Sequence, residues 1–182
     1  MRVIAGEFGR RKLVAPKGET TRPTPDRMRE SLFSILGDQV MGIPFTDLYC
    51  GSGAVGLEAL SRGATRCTFI EKDKSALEAL RQNLSSLGAG ARAEVIAKPV
   101  GAVLPQRRWE GVVFVDPPYE SATEYEQCLL WLGKSAAGLV LVQHDRRLKL
   151  PQKIGRLECQ RQLKHGDNWV SFYFLVEDSG TA

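Results

Sequence analysis

The sequence predicts an α/β fold: a mostly parallel sheet with helices on both faces, a C-terminal antiparallel hairpin, and a small β-hairpin at the N-terminal end. Three observations predict it. From residue 45 onward, short β-prone runs alternate with helical periodicities, the pattern of a parallel sheet covered on both sides. The run Val112, Val113, Phe114, Val115 has no polar position, as a strand buried on both faces requires. Two runs near the end, residues 156–163 and 169–176, are joined by the turn-rich stretch KHGDN and read as an antiparallel hairpin.

The elements follow in order. Residues 2–5 and 12–15 are short β-prone runs around a turn-rich segment, which predicts the opening hairpin. A polar connector with Gly18 and Pro23 follows. Thr24 then caps a helix with Pro25 in its first turn, Met28, Leu32, Phe33, Ile35 and Leu36 keep helical spacing, and Gly37 stops it. Strands are predicted at residues 45–50, 67–70, 94–97, 112–115 and 139–143. Helices are predicted at residues 54–62, 74–87 and 124–132, the second carrying Ala76, Leu77, Leu80, Leu84 and Leu87 on one face. The domain division expected is an arm, residues 1–20, and one α/β domain, residues 21–182.

Composition narrows the function classes. With 182 residues and 43% hydrophobic, the chain can build a core, which excludes disorder throughout. Its apolar runs are too short for a transmembrane helix, so no membrane partner is expected. The first residues, MRVIAGEFGRR, do not form a signal peptide. Four widely spaced cysteines without a Cys-x-x-Cys pair argue against a metal site and for buried thiols of a reduced, cytoplasmic protein. Net charge is +4 and uneven: residues 1–29 hold eight basic and three acidic residues, or +5, whereas residues 30–142 hold ten and thirteen, or −3. Basic ends around an acidic middle suggest a polyanion contacted by the ends. Arg2, Arg10, Arg11 and Lys12, on or beside the hairpin, are the candidate nucleic-acid contacts, with Arg146, Arg147 and Lys149 as a weaker second patch.

The stretch DLYCGSGAVGLEAL is the first motif. Gly51, Gly53 and Gly56 match G-x-G-x-x-G between a strand and a helix, and Glu71 ends the next strand eighteen residues after Gly53. The glycines let the backbone turn and approach a ligand, and Glu71 is placed to accept ribose hydroxyls. Dinucleotides and S-adenosylmethionine share this geometry. Asp47, four residues before Gly51, discriminates: an acid beneath the loop repels a pyrophosphate but suits a sulfonium and an ammonium. Asp47 has a second reading, as a structural carboxylate capping the loop amides.

The second motif is Asp116-Pro117-Pro118-Tyr119, at the end of the apolar strand. In a parallel sheet ligands sit beyond the carboxyl ends of the strands, near the switch point of strand order. An exocyclic base amine is a poor nucleophile because its lone pair is delocalised into the ring. Asp116 can accept one of its N–H groups and the Pro117 carbonyl the other, which stabilises the positive charge developing on nitrogen. Proline's fixed φ holds that carbonyl in place, and Tyr119 can stack on the base.

These stretches are where a family becomes visible. The chain resembles the class I S-adenosylmethionine-dependent methyltransferases, and within them the RsmD group of 16S rRNA guanine-N2 methyltransferases. MRVIAGEFGRRKL is similar to that group's opening hairpin, RPTPDRMRESLFSIL to its distinctive helix start, DLYCGSGAVGLEALSRGA to its cofactor loop, DPPY to its catalytic motif, and HGDNWVSFYFL to its closing hairpin. The resemblance implies a Rossmann-like, seven-stranded, mostly parallel sheet. It implies S-adenosyl-L-methionine as cofactor, contacted by Gly51, Ser52, Gly53 and Glu71 with Asp47 and Lys72 beside them. It also implies that residues 22–24, with Arg22 and Thr24, close over the methionine end of the cofactor. Asp116, Pro117 and Tyr119 would hold the target guanine. The expected partner is 16S rRNA or a small-subunit ribosomal particle, the expected state a monomer in the cytoplasm, without a metal. One departure stands out: Lys98-Pro99 follows the third strand, where such enzymes often carry an acid for the adenine amine.

Two readings compete. An adenine-N6 methyltransferase on DNA or RNA also uses DPPY, although those acting on DNA usually carry a recognition region that this chain lacks. A non-catalytic RNA-binding module would not need an intact DPPY. A protein-glutamine methyltransferase would favour Asn at position 116, and a dehydrogenase would bind nicotinamide.

Overall fold

In the computed structural model the described residues are 1–16, 26–118, 122–135 and 138–176. They divide into two units, Met1–Val100 and Gly101–Ala182.

In the first unit, helix α1 (Asp26–Leu36) buries Met28, Leu32, Phe33 and Leu36, the predicted stripe without Ile35, and ends before Gly37, whose φ of +50° suits glycine. Its predicted start at Thr24 and Pro25 lies outside the described residues. Strands β1 (Phe45–Leu48), β2 (Cys67–Glu71) and β3 (Ala93–Ala97) lie in the order β3-β2-β1, all parallel, with Phe45 beside Cys67 and Cys67 beside Ala93. Every residue of β1 is buried, the polar Thr46 and Asp47 as well as Phe45 and Leu48. Helix α2 (Ala54–Ser61) joins β1 to β2, and α3 (Lys74–Leu87) joins β2 to β3. Asp73 caps α3 by accepting the Ala76 amide at 2.8 Å, and Gly88 ends it at φ +67°. The buried face of α3 is the predicted one. Each fully buried leucine there stabilises the unit by about 1.5–3 kcal/mol, so truncating Leu80, which has no exposed surface, removes a principal anchor.

The N-terminal segment departs from expectation. It reverses direction, but its two predicted strands reduce to one antiparallel bridge, Arg2 with Lys12, supported by Val3 N–H to Arg11 O at 2.9 Å and Arg10 N–H to Val3 O at 2.8 Å. Side chains take the place of a ladder. The amides of Ile4 and Ala5 donate to Glu58, that of Phe8 to Ser61, and that of Val14 to Asn83. Val3, Phe8 and Leu13 are buried, so residues 1–16 are tied into the first unit. The proposed boundary at residue 20 falls outside the described residues.

A one-turn helix, α4 (Val100–Val103), carries the chain into the second unit. There β4 (Val112–Val115), β5 (Leu139–Asp145), β6 (Lys153–Ile154), β7 (Leu157–His165) and β8 (Asn168–Leu175) lie in the order β4-β5-β8-β7-β6. Strands β4 and β5 are parallel, Val112 beside Leu139, and are connected through helix α5 (Ala122–Lys134). Strand β8 runs antiparallel to both β5 and β7, and Gly166, at φ +58°, makes the β7–β8 turn. The closing hairpin is therefore the predicted one. The described strands number eight rather than seven, because β6 adds a two-residue edge to β7. No described helix is long and apolar enough to cross a membrane, and all four cysteines are buried and free.

Candidate functional site

The glycine loop is a backbone device. Strand β1 stops at Leu48, and Tyr49 takes φ +61°, a left-handed conformation uncommon for a side chain of this size. Gly51 and Gly53 follow at φ +55° and +82°. A Cβ on Gly53 would lie 2.4 Å from Leu80 Cδ1, so this glycine serves packing as well as the turn. A Cβ on Gly51 would meet no heavy atom within 4 Å, so the loop presents bare backbone at that point.

Asp47 explains how the loop is held. Its Oδ2 accepts the Gly56 amide at 2.8 Å, one of the orphan donors of the first turn of α2. Gly53, the residue before the helix, has no side chain to cap it, so the strand supplies the cap. Asp47 is only 2% exposed, and its pKa is pushed up to about 7, chiefly by burial. The Gly56 hydrogen bond opposes that rise and the Glu71 charge adds to it. The capping reading of Asp47 is thus the one its geometry satisfies. It also bears on the ligand: a pyrophosphate binds the free amides of a helix N-terminus, and here one of them is already taken by a carboxylate.

Glu71 ends β2 beside this loop. Its Oε2 accepts the Gly51 amide at 3.0 Å, and its Oε1 accepts the amides of Lys72 and Asp73 at 2.7 and 2.8 Å. A carboxylate offers about four acceptor positions, so one remains for a ligand hydroxyl. Lys72 is exposed, and the contact described for it is this backbone amide. Ser52 is buried, its Oγ 3.9 Å from Met1 Sδ.

Three buried polar groups behind the loop were not singled out in the sequence. Asn83, on the apolar face of α3, donates to the Ser52 carbonyl and to the Val14 carbonyl, both at 3.0 Å. Glu58 accepts Ile4 N–H at 2.7 Å and pairs with Arg62 Nε at 2.7 Å. Arg29, fully buried, lies with its Nε 4.0 Å from Glu58, donates to Asp26 at 3.0 Å and also donates to the Arg2 carbonyl. Burial lowers its pKa, and the two carboxylates oppose that shift. The signals were available: an asparagine inside the leucine stripe of α3, and a glutamate in the otherwise apolar stretch AVGLEAL.

In the second unit, Asp116 is part-buried at the end of β4 and Pro117 is buried. The Pro117 carbonyl accepts a long hydrogen bond, 3.4 Å, from the hydroxyl of Tyr125, which is 1% exposed on α5. Tyr125 is a fourth group that sequence reasoning missed; it helps to fix the carbonyl that the motif presents. Tyr119, Arg22 and Thr24 lie outside the described residues.

The arm cations point outward. Arg2, Arg10, Arg11 and Lys12 are exposed, while Val3, Phe8 and Leu13 alternate inward. Arg2 lies 3.7 Å from Asp26, and Arg11 donates to the Ser86 carbonyl. The second predicted patch is partly neutralised: Arg146 pairs with Asp167 and Arg147 with Asp145, each at 2.9 Å. Among the described residues no group of three or more His, Cys, Asp or Glu side chains could hold a metal ion.

Comparison with known proteins fits this geometry. A family described as "Conserved hypothetical protein 95" matches residues 1–174. The Escherichia coli K12 protein named "Ribosomal RNA small subunit methyltransferase D" is 36% identical over 156 residues, covering 83% of this chain and 78% of its own. Its namesake from Haemophilus influenzae is 37% identical over 161 residues, 84% of this chain and 83% of its own. The solved structure of Escherichia coli yhhF superposes with a TM-score of 0.85 at 33% identity, covering 96% of this chain and 97% of that one. The chain therefore belongs to the family of the ribosomal RNA small subunit methyltransferase D proteins, and its α/β architecture is the Rossmann-like methyltransferase fold.

Proposed function

We propose that the chain transfers a methyl group from S-adenosyl-L-methionine to the exocyclic N2 amine of a guanine in the 16S rRNA of the small ribosomal subunit. The observation that carries the cofactor assignment is the pair of carboxylates on the glycine loop: Glu71 on the Gly51 amide and Asp47 on the Gly56 amide. The residues fit that cofactor. Bare backbone at Gly51 admits a ligand, Glu71 keeps an acceptor position for a ribose hydroxyl, and with one amide of the helix start already taken by Asp47 the loop suits S-adenosylmethionine rather than a pyrophosphate. Gly51, Ser52, Gly53 and Lys72 would contact the cofactor, and the segment with Arg22 and Thr24 would close over its methionine end.

S-adenosylmethionine supplies a methyl group already activated on a sulfonium, so the chain need only position the acceptor and stabilise charge. Asp116 accepts one amine N–H and the Pro117 carbonyl the other, with Tyr125 holding that carbonyl from behind. Held in this way, the amine would present its lone pair to the donated methyl group, and the donor would keep the bonding electron pair and leave as a neutral thioether. The Asp116 carboxylate stabilises the positive nitrogen and takes its proton, which then passes to water. Tyr119 stacks on the base. The guanine leaves its helical stack at a cost of a few kcal/mol, which phosphate contacts from Arg2, Arg10, Arg11 and Lys12 offset. The protein works as a monomer in the cytoplasm, on rRNA alone or on an assembling particle.

Calorimetry and tritium transfer together test this. Asp116→Ala should retain S-adenosylmethionine binding and lose about 10²–10³-fold in transfer to small-subunit rRNA. Equal transfer rates in the two proteins would show that the amine is held by other groups.

A further inference from the structure

The second unit carries a basic groove of about 300 Å³ that no step above uses. Four cations, Arg107, Arg108, Lys134 and Arg156, line it together with Trp131, and among the described residues no carboxylate does. Trp131 is 43% exposed, an unusual cost for the largest apolar side chain, and Lys134 Nζ lies 5.3 Å from its ring. Arg107 sits over the buried Trp109 with its guanidinium carbon 5.6 Å from the ring centre, which holds the loop before β4 in place.

We infer that this groove is a second RNA-binding surface, in which guanidinium and ammonium groups hold consecutive phosphates of the substrate rRNA and Trp131 stacks on a sugar or base between them. Arginine suits phosphate because its planar fork donates two parallel hydrogen bonds, and an aromatic ring among cations is the common platform for a nucleic-acid strand. An acidic peptide would satisfy the charges but would leave the exposed indole without a stacking partner. The groove is not part of the methyl-transfer site. The Pro117 carbonyl meets Tyr125 near the start of α5, and Trp131 and Lys134 lie six and nine residues further on, roughly 9 and 14 Å along the helix axis. Lys134 also complements the C-terminal end of α5, so it is left intact in the test.

The inference rests on the reading of the chain as an rRNA methyltransferase, and the experiment separates the two. Full-length protein, Arg108→Gln/Arg156→Gln and Trp131→Phe are compared for binding of transcribed small-subunit rRNA across a salt series, and for methyl transfer at saturating RNA. The two arginines are exposed or half-exposed and should be replaced without loss of fold; circular dichroism checks this. The double variant should bind more weakly with a salt slope lower by roughly 1.4–1.8, two phosphate contacts, while transfer at saturation stays near the original rate. Indole fluorescence quenching on RNA binding should shrink in Trp131→Phe. An unchanged slope and affinity in the double variant, with transfer intact in all proteins, overturns the groove and leaves the methyltransferase reading standing. Unchanged binding to naked rRNA with reduced methylation of small-subunit particles overturns it in favour of a protein partner. No RNA binding or methyl transfer by the unaltered protein overturns both.

Discussion

Glu58, on α2, accepts the backbone amide of Ile4 at 2.7 Å, fifty-four residues away in sequence. The same carboxylate faces Arg29 on α1 and Arg62 one helical turn on. One buried charge thus fastens the N-terminal arm, which carries the proposed RNA contacts, to the helix that starts at the cofactor loop. Removing it leaves Arg29 its bond to Asp26 but takes the acceptor from the amides of Ile4 and Ala5. Glu58→Ala should therefore destabilise the protein by about 1–3 kcal/mol in urea unfolding. A loss below 1 kcal/mol would mean that the network is solvated and weak.

The arm must accordingly be probed by point substitution. Deleting residues 1–15 would strip Glu58, Ser61 and Asn83 of their backbone partners as well as removing cations. Arg10→Ala/Lys12→Ala changes only exposed side chains. It should lower the salt slope of rRNA binding by roughly 0.7–0.9 per lost phosphate contact and leave S-adenosylmethionine affinity unchanged. An unaltered slope would place the phosphate contacts elsewhere.

The two glycines of the loop should differ on substitution. Gly51→Ala meets open space and carries only the cost of a left-handed alanine, about 1–2 kcal/mol. Gly53→Ala carries that cost and also drives a methyl group to 2.4 Å from Leu80 and 3.2 Å from Phe69, both fully buried, adding about 1–3 kcal/mol of overpacking. Thermal unfolding that ranks Gly51→Ala as the more damaging would contradict this packing.

Asp47 gives a pH dependence of definite sign. Its folded pKa of about 7 lies above the ordinary 3.8, so between these values the folded state binds a proton that the unfolded state has lost. Stability from this group is complete below pH 3.8 and falls as pH rises towards 7, by up to roughly 1.4 kcal/mol per unit. Asp47→Asn keeps an acceptor for the Gly56 amide and removes the titration. Its stability relative to the unaltered protein should rise from pH 4 to pH 7; parallel profiles would show that Asp47 stays charged throughout.

The sequence disclosed what depends on local pattern. Helix α3 was legible to the residue because Asp73, the leucine stripe and Gly88 are all local signals. The glycine loop and Glu71 were legible because their spacing is set by one strand–helix–strand unit. Strand β6 was not, since two residues, Lys153 and Ile154, carry no period. The opening hairpin was legible only in part: the chain reverses and pairs Arg2 with Lys12, but the amides of Ile4, Phe8 and Val14 bond to Glu58, Ser61 and Asn83, which only the tertiary fold brings near. Tyr125 was hidden in the same way, as one aromatic on a helix whose partner, the Pro117 carbonyl, is eight residues back. The groove around Trp131 was invisible because Arg107, Lys134 and Arg156 are far apart in sequence and only the fold gathers them.

The central claim is methylation of a guanine amine in small-subunit rRNA, and mass mapping of modified nucleosides addresses it most directly. Small-subunit rRNA from cells with the chain, without it, and with Asp116→Ala in its place is digested and compared. The account predicts that one N2-methylguanosine is present in the first and missing from the other two. An unchanged set of methylated guanosines in all three, or loss of an N6-methyladenosine instead, would contradict it.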